Sequence, residues 1–180
     1  MGDKIAVIYK SKYGTTKRYA GWIALKLGAD LYELSDIRTK DLDKYNTVIY
    51  GGPLYVGKIK GVDFIIKNYE KLLNKNLIVF TVGMESYSEE CRNKIIKNNF
   101  EGERIDKIDL YHFKGAFSYK ELGIIHKAMM KFMKKNLEAK GIRDLTEDDK
   151  NLLKGFESSV DLSDKKYINN LIDHVYSINK

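Results

Sequence analysis

The sequence predicts an open, doubly wound α/β domain, a parallel sheet with helices on both faces. Three observations carry this expectation. Apolar runs of strand length alternate with longer stretches of helical periodicity. Two of the runs, Thr47-Val48-Ile49-Tyr50 and Leu77-Ile78-Val79-Phe80-Thr81-Val82, are apolar without alternation, as suits strands covered on both faces. The first run, Ile5-Ala6-Val7-Ile8-Tyr9, leads into a glycine turn and then a helical pattern that opens with hydroxyl side chains.

Taken in order, strands are expected at 4–9, 30–33, 47–51, 77–82 and about 107–113. Helices are expected at 15–27, 62–73, 88–98, 119–139 and 164–178. The first helix sets Tyr19, Ala20, Ile23, Ala24 and Leu27 on one stripe. The last does the same with Ile168, Leu171, Ile172 and Val175, with Ser163 as its expected N-cap. Repeats, low-complexity tracts and linker-like stretches are lacking, so one domain over 1–180 is the economical reading, and 180 residues suffice to bury roughly 70% of the unfolded surface.

Composition removes several classes of function. Hydrophobic residues at 43% and charged residues at 32% describe a globular chain, not a disordered one. Apolar runs are far shorter than the ~20 residues that cross a bilayer, and the chain opens on its first strand, so a cytoplasmic protein is expected. Cys91 is the single cysteine, which leaves no internal disulfide and no multi-cysteine metal site. The net charge of +7 is concentrated: segment 114–140 holds seven lysines against two glutamates.

Ligands in such a sheet bind beyond the carboxyl ends of the strands. Three loops leave those ends. In Ser11-Lys12-Tyr13-Gly14-Thr15-Thr16, the unpaired N–H groups of a helix start meet hydroxyl donors, which makes a phosphate cradle without arginine or metal. An ordinary capped helix is the competing reading of that segment. The second loop, Gly51-Gly52-Pro53-Leu54-Tyr55-Val56-Gly57-Lys58, contains the only proline, and its glycines suggest close approach to a flat ligand with Leu54 or Tyr55 packed on it. The third, Gly83-Met84-Glu85-Ser86-Tyr87-Ser88, offers Met84 and Tyr87 as a second wall. The candidate cofactor-binding residues are therefore Ser11, Lys12, Tyr13, Gly14, Thr15, Thr16, Pro53, Leu54, Tyr55, Val56, Gly57, Gly83, Met84 and Tyr87, and together they fit a phosphorylated planar cofactor.

On these residues the chain resembles the flavodoxin family, which binds FMN. Ser11-Lys12-Tyr13-Gly14-Thr15-Thr16 is similar to that family's T-x-T-G-x-T phosphate loop, with Tyr13 standing where a hydroxyl is usual. The resemblance implies a five-stranded parallel sheet in the order 2-1-3-4-5, with loops 51–58 and 83–88 against the isoalloxazine. A narrower resemblance is to the flavodoxin-type protoporphyrinogen IX dehydrogenases. It rests on S-x-x-G-x-T, on a G-x-x-x-x-x-G second loop, on Phe113-Lys114-Gly115-Ala116-Phe117-Ser118 before a basic, Met-rich helix, and on Val160-Asp161-Leu162-Ser163-Asp164. That likeness implies an insertion at about 114–156, oxidation of a porphyrinogen through FMN, and a quinone acceptor at the membrane.

The helix expected at 119–139 has two readings. Leu122, Ile125, Met129, Phe132, Met133 and Leu137 recur at helical spacing, with Lys120, Lys127, Lys131, Lys134 and Lys135 between or opposite them. The plainer reading packs the apolar stripe on the domain and leaves the lysines solvated. The alternative makes the helix a lid or docking surface, including peripheral contact of the 119–140 segment with membrane.

Other motifs fail on chemistry. Gly52-Pro53-Leu54-Tyr55-Val56-Gly57-Lys58 matches G-x-x-x-x-G-K, yet Ile59 stands where a triphosphate-binding loop needs Ser or Thr for magnesium. Cys91-Arg92 lacks the spacing of a cysteine phosphatase, so Cys91 reads as a buried helix residue. His112, His126 and His174 are isolated, no metal site is expected, and His112 reads as structural although the strand end could aim it at the site. Nucleic acid is not an expected partner. The functional expectation is an FMN-dependent oxidoreductase without a catalytic acid or base of its own, acting on a porphyrinogen-like or quinone-like small molecule. The alternatives are a flavodoxin carrying electrons between redox proteins and a cofactor-free binding module.

Overall fold

The computed structural model describes residues 4–100 and 108–179. Five strands run parallel: β1 (Ile5–Tyr9), β2 (Asp30–Glu33), β3 (Thr47–Tyr55), β5 (Asn76–Gly83) and β6 (Ile108–Lys114). Their spatial order is β2-β1-β3-β5-β6, the 2-1-3-4-5 order once the short β4 (Lys58–Ile59), which pairs antiparallel with β3, is set aside. Residue 107, the expected start of the fifth strand, lies outside the described residues.

The continuous apolar runs are what place β3 and β5 centrally. Successive side chains of a strand point to opposite faces. Val48, Tyr50, Leu77 and Val79 thus join one core, with Ile65 and Leu72 from α2 (Asp63–Lys67) and α3 (Tyr69–Leu72) and Ile95 from α4 (Glu89–Asn99). Ile49, Ile78, Phe80 and Val82 join the other, against Tyr19, Ala20 and Ile23 of α1 (Thr15–Leu27) and Leu171, Ile172 and Val175 of α7 (Asn169–Ile178). Both faces of the sheet are covered, which is why these strands show no polar alternation.

Some elements differ from the sequence expectation. The helix expected at 62–73 is two short pieces, α2 and α3, separated at Asn68. Ser163 does not cap the last helix: Asp164 accepts from Lys166 N–H at the head of a 3-10 turn (Lys165–Ile168), while the Ser163 hydroxyl donates to Asp161. The expected third strand runs on to Tyr55 and turns back into β4 through Val56 and Gly57, whose φ values of 48° and 74° are those of a two-residue hairpin turn. The G-x-x-x-x-G-K segment is therefore a β-hairpin, with its lysine in β4 and not at a helix start.

Between Gly115 and Leu162 the chain leaves the sheet and returns. The excursion closes on a two-stranded ribbon, β7 (Ala116–Phe117) against β8 (Val160–Asp161), and so ends beyond the expected 156. It holds α5 (Ile124–Glu138) and α6 (Glu147–Glu157) around a small core of Phe117, Leu122, Leu137 and Leu152. The helix expected at 119–139 is broken at Leu122-Gly123 into a 3-10 turn (Tyr119–Glu121) and α5. The Tyr19 hydroxyl stitches the root: it donates to Lys114 C=O at 2.7 Å and accepts from Asp164 N–H at 3.1 Å.

Candidate functional site

Register sets the site. Tyr9 pairs with Gly51, Pro53 with Val82, and Gly83 with Lys114, so the loops after β1, β3, β5 and β6 leave the sheet side by side. The strand order reverses between β1 and β3, where ligands bind in sheets of this kind. A cavity of about 510 Å³ lies there, under the excursion.

Its polar end is the turn into α1. Gly14 sits at φ 89°, a left-handed conformation costly for other residues, and occupies the N-cap without a side chain. Ser11 Oγ accepts from Gly14 N–H at 3.1 Å, which leaves the Ser11 hydroxyl proton free to donate outward. Thr15 and Thr16 follow in the first helical turn, buried and lining the cavity. Helix-start N–H groups, hydroxyl donors and the Lys12 ammonium converge on one end, a donor set that suits a dianionic phosphate.

The remaining walls are mainly apolar, although Glu85, His126, Asn136, Asp148 and Asp149 also reach the lining. Pro53, Leu54, Tyr55, Val56 and Gly57 form one, and Val82, Gly83 and Met84 a second. The excursion supplies the third, with Phe117, Leu122, Met129, Met130, Phe132 and Met133. Such a slot, polar at one end and polarizable along its length, fits the phosphate and ring of a flavin mononucleotide.

Twelve of the fourteen candidate residues line this cavity. Gly14 stands behind the lining and acts through its backbone. Tyr87 is misplaced by the sequence reading: it is 49% exposed and borders a separate depression with Arg92, Asp109 and Tyr111. The reason is Ser88, whose hydroxyl caps α4 by accepting from Cys91 N–H and so carries residue 87 away from the strand ends. Gly51 and Gly52 also serve a different purpose from the one expected. Each lies in β3, where a Cβ would fall 2.0 Å from the Phe80 ring and 2.7 Å from Ile59, so their bareness admits protein and not ligand. His112 is buried in β6, joined to Thr81 Oγ1 at 2.6 Å and to Glu85 C=O at 3.0 Å, and it holds the 83–86 loop from behind.

His126 is the residue that sequence reasoning missed. From α5 its ring stacks on Tyr55, with centroids 4.9 Å apart and planes at 17°. Lys12 Nζ and the Tyr13 hydroxyl meet its Nδ1 at 3.3 and 3.2 Å. An ammonium can only donate, so Nδ1 is the bare nitrogen and the ring proton is on Nε2. Loss of solvent, with the Lys12 and Lys60 cations nearby, lowers the imidazole pKa and favours that neutral form. No local spacing announces these contacts, and those to Lys12 and Tyr13 span more than a hundred residues.

Two further clamps hold the excursion. Asp148, in the first turn of α6, accepts from the Ser86 N–H and hydroxyl at 2.5 and 2.9 Å and from Lys114 Nζ at 2.9 Å. Burial alone would raise that carboxyl, but these donors hold it below its ordinary value. Arg18 of α1 reaches Asp161 at 2.6 Å and Ser163 at 2.7 Å. Among the described residues no cluster of His, Cys, Asp and Glu is arranged to hold a metal ion, and no helix is long and apolar enough to cross a membrane.

A family model described as a flavodoxin domain matches residues 6–144. The uncharacterized protein MJ0298 of Methanocaldococcus jannaschii is 29% identical over 122 residues, covering 63% of this chain and 80% of that protein. Among solved structures, a flavodoxin from the domain Archaea superposes with a TM-score of 0.40 at 14% identity, over 86% of this chain and 96% of that one. A WrbA-like flavodoxin from Agrobacterium tumefaciens gives 0.41 at 15% identity, over 61% and 83%.

Proposed function

This chain belongs to the flavodoxin domain family, and we propose that it is an FMN-dependent oxidoreductase whose substrate enters the cavity beneath the excursion. The observation that carries the reading is the division of the cavity walls. The strand-end loops supply hydroxyls at a helix start and an apolar wall, and a separately packed helical lid supplies about half of the lining. An electron carrier needs only the first part; the second gives a substrate somewhere to sit.

When bound, FMN supplies the ring that accepts hydride or single electrons. The chain's own residues do the rest. The N–H groups at the start of α1 and the hydroxyls of Ser11, Thr15 and Thr16 would bind the phosphate, and Lys12 would balance its charge. Tyr55, Leu54 and Met84 would hold the ring. Met129, Met130, Phe132 and Met133 line the cavity from the excursion and would offer polarizable surface to a flat, conjugated substrate of the porphyrinogen or quinone class.

The electron-carrier reading keeps one observation in its favour: Phe132 and Met133 are exposed at the cavity mouth, where a redox partner could approach. Turnover separates the two. Reconstituted protein should oxidise a porphyrinogen with a quinone as electron acceptor, and the Met129→Asn/Met133→Asn variant should lose most of that turnover while retaining FMN. Equal turnover in the variant, or none in the parent beside efficient electron exchange with a redox protein, would favour the carrier.

A further inference from the structure

The outward side of α5 carries a pattern that the cavity does not use. Residues 124, 125, 128, 131, 132 and 135 share one side of a helix by their spacing. They are Ile124, Ile125, Ala128, Lys131, Phe132 and Lys135. Ile124 is 88% exposed, Ile125 84% and Phe132 69%. The opposite side, with His126, Met130 and Leu137, is the one turned to the protein. The helix is therefore apolar in two directions, and only one of them is covered.

We propose that this outward side seats α5 on an anionic lipid bilayer, at the depth of the headgroups. Three large side chains without a polar handle stand among lysines, and segment 114–140 holds seven lysines against two glutamates. Interfacial helices combine large apolar groups with lysines whose stems lie along the apolar surface and whose ammonium groups reach lipid phosphates. Protein interfaces are depleted of lysine at their centres, so a protein partner fits this face less well. A second copy fits worse still, because two lysine-rimmed faces repel. No described helix spans a bilayer, so the contact is peripheral. Phe132 belongs both to this side and to the cavity wall, and docking therefore sets the cavity mouth beside the membrane.

The inference stands independently of the flavin and is tested without it. The full chain should co-sediment with phosphatidylcholine vesicles containing about one-third phosphatidylserine, release in high salt, and ignore pure phosphatidylcholine. Lys131→Gln/Lys135→Gln should weaken binding about thirtyfold, from roughly a fivefold effect per lysine near an anionic surface. Ile124→Asn/Ile125→Asn, which keeps the charge and leaves the cavity lining untouched, should weaken it at least about tenfold. Binding unchanged by the isoleucine pair, or equally strong on uncharged vesicles, overturns the proposal. So does the absence of vesicle binding, and a dimer in sedimentation velocity that the isoleucine pair abolishes would then assign the face to a second copy.

Discussion

The imidazole of His126 lies on the ring of Tyr55, 4.9 Å between centroids, and so fastens the helical excursion to the loop at the end of β3. The same ring nitrogen gathers Lys12 and Tyr13 from the loop after β1. One side chain on α5 thereby joins the two strand-end loops on either side of the point where strand order reverses. His126→Ala should raise amide exchange in 115–162 and leave β1, β3 and β5 protected. Uniform protection in the variant would mean that the clamps at Asp148 and Arg18 hold the excursion unaided.

The Tyr19 hydroxyl bonds both ends of that excursion, at Lys114 and Asp164. Tyr19→Phe keeps the ring packed on Phe113 and Trp22 and removes only the oxygen. It leaves the Asp164 N–H and the Lys114 carbonyl short of a partner, a cost of about 1–3 kcal/mol in urea unfolding. A change below about half a kcal/mol would show that water replaces the hydroxyl without loss.

Asn99 fixes the β3–β4 hairpin from α4. Its Oδ1 accepts from Ile59 N–H at 2.7 Å, and its Nδ2 donates to Gly57 C=O at 2.7 Å and to Ile95 C=O at 2.8 Å. Asn99→Ala should cost about 2–3 kcal/mol and weaken FMN binding, because it frees the loop that carries Tyr55 and Val56. Val56 itself sits at φ 48°, a strained conformation for a β-branched residue. Val56→Asn should raise stability by about 1 kcal/mol, since Asn tolerates that conformation.

His112 gives the fold a pH dependence. Burial drives its pKa down to about 4, against an ordinary 6.5, despite the Glu85 carbonyl that favours its protonated form. Below about 6.5 the unfolded chain takes up a proton that the folded chain refuses until about 4, so stability falls as pH drops through that window and levels off beneath it. The loss amounts to about 3 kcal/mol, read as a shift in urea midpoint, and His112→Gln should flatten that part of the profile. A parent protein equally stable across the window would contradict a neutral, buried His112.

Much of the sheet was legible because β3 and β5 carry apolar side chains on both faces, a pattern that neither a half-exposed strand nor an amphipathic helix shows. The gathering of Ser11, Lys12, Tyr13, Thr15 and Thr16 at one cavity was legible because strand, glycine turn and hydroxyls are contiguous. What failed was of two kinds. Gly51 and Gly52 looked like ligand-facing glycines, and only the facing Phe80 and Ile59 show that they make room for protein. The contact between His126 and Tyr55 joins distant segments and leaves no local trace. α6 falls between these. Its Thr146–Asp149 capping box is a readable helix start, but the polar sequence after it hides the few apolar residues that pack inward. The outward side of α5 shows why periodicity alone does not decide which face is buried: the stripe expected to pack on the domain puts Leu122 and Leu137 inside and Ile125 and Phe132 in solvent.

The phosphate cradle is tested by Thr15→Val and Thr16→Val, which keep shape and delete one hydroxyl each. A hydrogen bond to a charged group is worth about 1.5–3 kcal/mol, so each variant should bind FMN at least about tenfold more weakly. Unchanged affinity in both would remove the hydroxyls from the site.

The most direct measurement is the visible absorption spectrum of the purified protein after FMN is added and free cofactor is removed by desalting. Retained flavin bands, lost in parallel with the threonine hydroxyls, are the predicted result. A protein that stays colourless after reconstitution would contradict the central claim and leave a flavodoxin fold used for binding without redox chemistry.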